Sequence, residues 1–261
     1  MDSVIQNKKS VEKQYQTAEN LNIRIAIHQR YSTNRQGFGS WIFEQYKFFE
    51  DSTILELGCG NGGIWKENLT KLPENCSLTL SDFSKDMLEN AKRNLSGADF
   101  IDFQVIDIQS IPYPDNSFDI VIANMMLYHV PNLEKALQEV RRILKPDGVF
   151  YCATYGENGI IDILEQQFSD LIDYHKQDKV FTLQNGTEIL QPFFSDIQCR
   201  WYEDALAVTR AEDLADYIVS VGNMSRLNQL AKDKIIQRLN EIKKDGVIQI
   251  PKEYGMFLAR G

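Results

Sequence analysis

Glu56, Gly58, Gly60 and Gly62 occupy alternate positions in the stretch TILELGCGNGG, from Thr53 to Gly63. An apolar run from Ile54 to Leu57, with Glu56 inside it, stops at Gly58. Four glycines then fall within six residues, the pattern of a buried strand entering a helix through a tight turn. Gly58, Gly60 and Gly62 place no Cβ between backbone N–H groups and a ligand, and the following helix adds its positive end. The junction therefore suits an anionic or nucleotide-like group. Two readings fit: Gly58-x-Gly60-x-x-Gly63 satisfies a dinucleotide fingerprint, and Glu56-x-Gly58-x-Gly60-x-Gly62 satisfies an S-adenosylmethionine loop. The glycines alone do not choose between them.

Further polar residues fall at the ends of apolar runs. Asp82 follows the short strand SLTL, at about the distance past the glycines where a carboxylate accepts from both hydroxyls of a ribose. The alternative role for Asp82, capping a helix, belongs better to Ser84, ahead of Lys85 to Leu95. Asp107 ends a third strand (Phe103 to Ile106), and Asn124 ends a fourth (Phe118 to Ala123) whose nearly continuous apolar character marks burial on both faces. His129, just beyond, is the histidine to consider first as a general base, set against a packing and hydrogen-bonding role. Upstream, HQRYSTNRQGFGSW gathers His28, Arg30, Tyr31 and Arg35 in a loop that reads either as a surface connector or as a cap over the ligand.

The elements that position these residues alternate. A polar stretch from Val11 to Ile27 and the aromatic segment Trp41 to Phe49 read as helices before the first strand. A helix from Gly62 to Leu72 follows the glycines. Asn132 caps another, with Leu133, Ala136, Leu137, Val140, Ile143 and Leu144 at helical spacing, and Lys145-Pro146-Asp147-Gly148 ends it before strand five, Gly148 to Thr154. This is a doubly wound parallel sheet, whose ligands bind at the carboxyl ends of the strands. Beyond it, Ile160–Ile172, Gly186–Phe194, Ala211–Val221 and Leu227–Ile242 read as helical, Ile197–Val208 as extended, and YGMFLA as a last strand. The organisation expected is a helical N-terminal cap, residues 1–50, on a single structural domain, residues 51–261.

Composition bounds the function. At 261 residues, with 43% hydrophobic and 25% charged residues, the chain can bury a sizeable core. Its net charge of −9 gives no electrostatic footprint for a nucleic acid, so a small-molecule partner is expected. The four cysteines are scattered without a C-x-x-C pair, which suggests neither a metal site nor a disulfide framework and fits a reducing cytoplasm. No export signal and no membrane span are read. Nothing in the sequence sets the oligomeric state.

The segments ILELGCGNGG, LTLSDFSKDML, DIQSIPYPDNSFDIVIANMMLYHV and ALQEVRRILKPDGVFY, in this order and spacing, resemble the class I S-adenosylmethionine-dependent methyltransferases. The resemblance is to the bacterial small-molecule branch similar to the ubiquinone/menaquinone-biosynthesis methyltransferases. It implies a Rossmann-like α/β fold with a seven-stranded sheet in the order 3-2-1-4-5-7-6, the last strand antiparallel. It also implies S-adenosylmethionine as cofactor and a small-molecule methyl acceptor. Residue by residue, Glu56, Gly58 and Gly60, with Cys59 and Gly62 of the same loop, would line the methionine part. Asp82 would hold the ribose, Phe83 would lie against the adenine, Asp107 and the Ile108 backbone would meet the ring edge, and Asn124 would lie below the sulfonium. Independently of the resemblance, the cap reading of the upstream loop would set Tyr31 beside the sulfonium. Asn124 is followed by Met125-Met126 rather than by the Pro-Pro-aromatic run of enzymes that methylate DNA bases, which argues against base methylation. The rival readings are a non-catalytic S-adenosylmethionine-binding protein and, more remotely, an NAD-dependent oxidoreductase.

Overall fold

Apolar runs of five or six residues bury both faces only when strands flank them and helices cover them, and these runs assemble into one sheet. The computed structural model describes residues 18–175, 178–222 and 225–261. Its strands are β1 (Thr53–Leu57), β2 (Ser77–Asp82), β3 (Ile101–Val105), β4 (Phe118–Ile122), β5 (Leu144–Tyr155), β6 (Asp196–Val208) and β7 (Ile248–Arg260). They are ordered β3-β2-β1-β4-β5-β7-β6, as the resemblance implies. Pairing is parallel from β3 through β5, and the last strands run antiparallel. The described α-helices are α1 (Ala18–Tyr31), α2 (Phe38–Gln45), α3 (Gly63–Lys66), α4 (Lys85–Asn94), α5 (Leu133–Ile143), α6 (Ile160–Gln167), α7 (Gly186–Leu190), α8 (Ala211–Ser220) and α9 (Lys232–Glu241).

The chain divides into two compact units. One comprises Phe38–Thr154, Phe181–Trp201 and Gly255–Gly261. Its core includes Ile54, Leu78, Leu80, Ile120, Ile122, Tyr151 and Leu258 from the strands, covered by Ile42, Phe43 and Trp65. The other gathers the described residues up to Gly37 and those within Tyr155–Val180 and Tyr202–Tyr254. Its core joins Ile27 and Tyr31 of α1, Leu164 of α6, Leu214 and Ile218 of α8, and Ile235 and Leu239 of α9 to Leu206 and Ile250.

Several boundaries differ from expectation for tertiary reasons. Of the expected first helix, residues 11–17 lie outside the described residues, and α1 continues to Tyr31, so His28 and Arg30 are helical. Helix α2 ends at Gln45. Tyr46 and Phe48 leave it to pack their rings against Phe43 at 5.7 and 5.6 Å, a gain that outweighs continuing the helix. The helix after the glycines is short, since the Asn68 side chain donates to Ile64 O at 2.6 Å and diverts the backbone into a 3-10 turn at Leu69–Lys71. The Leu227–Ile242 segment likewise splits into a 3-10 turn at Arg226–Gln229 and α9.

Strand β5 begins at Leu144, not Gly148. The register with β4 jumps from Phe118↔Leu144 to Ile120↔Val149, so Lys145 to Gly148 form a bulge. An ion pair fastens it: Lys145 Nζ lies 2.7 Å from Asp119 Oδ2, which also accepts from Thr53 N and Thr53 Oγ1 on β1.

Candidate functional site

The carboxyl ends of β1 to β4 bring together most of the residues singled out in the sequence. The register sets Glu56 opposite Leu80 on one side and Ile122 on the other, in the middle of the sheet. The chain then turns through Gly58 at φ 75° and Gly60 at φ 58°, both left-handed. Cys59 N donates to Ser81 O at 2.8 Å, and Gly60 N donates to Asp82 Oδ2 at 2.9 Å, so the turn is tied to the end of β2. The other oxygen of Asp82 accepts from Ser84 N at 2.8 Å, and Ser84 caps α4 by accepting from Met87 N. Burial raises the pKa of Asp82, and the Ser84 and Gly60 N–H groups oppose that shift. Phe83, beside it, is 41% exposed, unusual for so large an apolar ring.

Gly58 is required twice over: by its positive φ, and because an added Cβ would meet Met126 Cγ at 3.0 Å. Met126 follows Met125, itself in the left-handed region at φ 52° and held there by Met125 N donating to Ala153 O at 2.8 Å. Gly58→Ala is therefore expected to destabilise the fold by about 1–3 kcal/mol, measured by denaturant unfolding. An added Cβ at Gly60 would meet nothing within 4 Å, so that side of the turn is open.

Under the turn lies a polar network that no sequence signal revealed. Trp65, fully buried on α3, donates from Nε1 to Glu56 Oε2 at 2.5 Å. Asn124 Nδ2 lies 3.2 Å from Glu56 Oε1 and 2.6 Å from the hydroxyl oxygen of Tyr46. The Asn124 Oδ1 atom is buried without a hydrogen-bond partner. Glu56 is 3% exposed, and burial lifts its pKa to about 7 against the Trp65 and Asn124 hydrogen bonds, with Asp82 adding to the rise. Burial also pushes the Cys59 thiol up, with Glu56 and Asp82 adding, so that thiol stays protonated and unreactive.

At the end of β3, Asp107 Oδ1 accepts from Gln109 N at 3.1 Å and from Gln109 Nε2 at 3.0 Å, and Ile108 is buried. The turn-rich segment that follows is held from α5. Arg142 donates to the carbonyls of Ile111 and Tyr113, and Glu139 accepts from Ile111 N. His129 lies in a 3-10 turn (Leu127–His129) beyond β4, its ring 4.4 Å from that of Tyr128. Tyr31 belongs to the other unit, where its hydroxyl donates to Asp213 Oδ2 at 2.6 Å beside Arg30. Among the described residues no group of three or more His, Cys, Asp or Glu is placed to hold a metal ion, and no helix is long and apolar enough to cross a membrane.

Comparison with known proteins finds similarity to methyltransferases. The family model described as a methyltransferase domain matches residues 55–152. The ubiquinone/menaquinone biosynthesis C-methyltransferase UbiE of Rickettsia akari is 34% identical over 131 residues, 48% of this chain and 51% of that protein. The Rickettsia prowazekii protein of the same description is 36% identical over 113 residues, 41% of this chain and 46% of that one. The chain thus spans about half the length of the curated relatives it matches. Among solved structures, the YcgJ protein of Bacillus subtilis superposes with a TM-score of 0.59 at 19% identity, covering 85% of this chain and 98% of that one. The [4+2]-cyclase SpnF gives a TM-score of 0.60 at 17% identity over 97% and 96%.

Proposed function

We infer that this chain transfers a methyl group from S-adenosylmethionine to a small-molecule acceptor, a reading supported by the match of residues 55–152 to the methyltransferase-domain model. The fold does not carry the inference, since a solved structure described as a cyclase shares it. The observation that carries it is Asp82, a carboxylate tied by one oxygen to Gly60 N and by the other to Ser84 N, with an exposed aromatic ring next to it.

The site fits the cofactor. The open side of Gly60 admits a ligand, Phe83 offers an exposed ring to a base, and Asn124 Oδ1 is a buried acceptor awaiting a donor. Asp82 would accept from the ribose hydroxyls, Asp107 and Ile108 would meet the base edge, and Glu56, Gly58, Cys59, Gly60, Gly62 and Asn124 would line the methionine end. When bound, the cofactor supplies a methyl already activated on a sulfonium. The chain's own work is then to align an acceptor with that methyl and to keep water out. A general base is needed only where the acceptor must lose a proton, and His129 is the residue to test for it.

Calorimetric titration is expected to show S-adenosylmethionine and S-adenosylhomocysteine binding and NAD not binding. NAD binding more tightly than either would overturn the reading. A screen of small acceptors, headed by carbon acceptors because the named relatives are C-methyltransferases, should then release S-adenosylhomocysteine. Binding without release by any acceptor favours a non-catalytic binding protein.

A further inference from the structure

We propose that Trp65 and Asn124 are positioning residues that hold Glu56 as a proton-exchanging receptor for a cationic group of the cofactor. On this proposal the buried carboxyl loses its proton to solvent as the cation arrives. The inference rests on the function proposed above and deepens it.

Glu56 is a buried carboxyl with no ion-pair partner among the described residues. The groups that face it come from every element packed around it, and among the described residues none is cationic. Trp65 on α3 and Asn124 beyond β4 offer neutral N–H donors. Tyr46 after α2 is a phenol whose pKa burial pushes well up. Cys59 in the turn is a protonated thiol, and Asp82 at the end of β2 is a second carboxyl. A buried carboxylate in such company is costly, so the group either keeps its proton or finds a positive charge. The raised pKa of about 7 follows from the same arrangement.

Asn124 Oδ1 supplies the independent observation. It is a buried acceptor without a partner, on the residue that also holds Glu56 Oε1. A partnerless amide oxygen beside a carboxylate whose donors are both neutral is complemented by a positively charged group. The methionine part of the cofactor carries two, an ammonium and a sulfonium. The exchange balances: the protonated carboxyl and the cation become a carboxylate–cation pair, and one proton passes to solvent. The two N–H donors fix the carboxylate geometry before the ligand arrives, so little ordering remains at binding.

The indole N–H of Trp65 reports the event directly. In the ligand-free protein its 15N-edited proton resonance should titrate with a midpoint near 7. With saturating S-adenosylhomocysteine or S-adenosylmethionine the midpoint should fall by about two pH units or more, because an opposite charge favours the ionised carboxyl. Calorimetry in buffers of different ionisation enthalpy should show close to one proton released per ligand near pH 6. Affinity should rise about eightfold from pH 5.5 to 6.5, a window in which the ligand amine stays charged.

Release with both ligands assigns the ammonium, and release with S-adenosylmethionine alone assigns the sulfonium. Glu56→Gln should abolish the proton release and flatten the affinity profile. Trp65→Phe, which removes one donor to the carboxylate, should move the profile to higher pH. Ligands that bind with no proton release and an unshifted Trp65 resonance overturn the proposal and leave the proposed function standing. Failure of both ligands to bind overturns both.

Discussion

Asp82→Ala is expected to weaken S-adenosylmethionine binding by about 1–3 kcal/mol, roughly 5- to 150-fold in Kd, and to lower the unfolding midpoint at the same time. The first effect follows from removing a charged acceptor from the proposed ribose site. The second is particular to this structure. Asp82 satisfies Gly60 N with one oxygen and Ser84 N with the other, so its carboxylate braces the glycine turn against the start of α4. Truncation leaves two N–H groups without their charged acceptor in a partly enclosed site and frees a turn that depends on two left-handed glycines. Asp82→Asn keeps one acceptor oxygen and should fall between the wild type and Asp82→Ala in both measurements. Calorimetry of binding and denaturant unfolding of the three proteins check the order. An unchanged affinity in Asp82→Ala would move the ribose elsewhere, whatever happens to stability.

Asp82 was legible in the sequence because its chemistry is local: a carboxylate at the end of a strand, a fixed distance past a glycine turn. The same holds for the caps. Ser84 and Asn132 accept from the backbone three residues on, and such short-range pairing leaves a recognisable residue type at a recognisable place. The sheet order was legible only through the resemblance, since periodicity gives strands but not their neighbours. What stayed hidden is pairing across distance. Trp65 reads as an apolar helix residue, and nothing in its surroundings announces an indole N–H aimed at Glu56. Tyr46 reads as part of an amphipathic helix, yet it leaves that helix and meets Asn124, 78 positions away. Arg142 sits among ordinary helix charges, and only the fold shows it gripping the carbonyls of Ile111 and Tyr113. The two compact units were hidden for the same reason, because each is collected from three separate stretches of chain.

The largest expected loss of stability comes from Asp204→Ala, about 3–5 kcal/mol. Asp204 on β6 and Lys252 on β7 form an ion pair whose side chains are each 1% exposed. The two partners are not equally supported. Burial pushes the Asp204 carboxyl up, but Lys252 and the Asn34 N–H outweigh it and hold the pKa below its usual range, with Ala205 N and Thr33 Oγ1 also donating. For Lys252, burial is the largest influence and pulls the ammonium pKa down, with Asp204 only partly opposing it. Apart from Asp204, the ammonium has Ser32 Oγ at 2.8 Å and His28 Nδ1 at 3.4 Å. Losing Asp204 therefore strands a buried cation, whereas Lys252→Met leaves a carboxylate that still has donors, and the second substitution should cost less. His28 adds a pH signature. Burial, with Lys252 beside the ring, lowers its pKa to about 3. The unfolded chain binds that proton near 6.5 and the folded chain does not, so stability should fall as pH drops from about 6.5 toward 3, by on the order of 4–5 kcal/mol. His28→Gln should remove this contribution, and Lys252→Met should shrink it by relieving the repulsion. Unfolding midpoints of the four proteins at pH 7.5 and pH 5 measure both effects. If Lys252→Met proves as costly as Asp204→Ala at pH 7.5, the carboxylate depends on its cation rather than on its N–H and O–H donors.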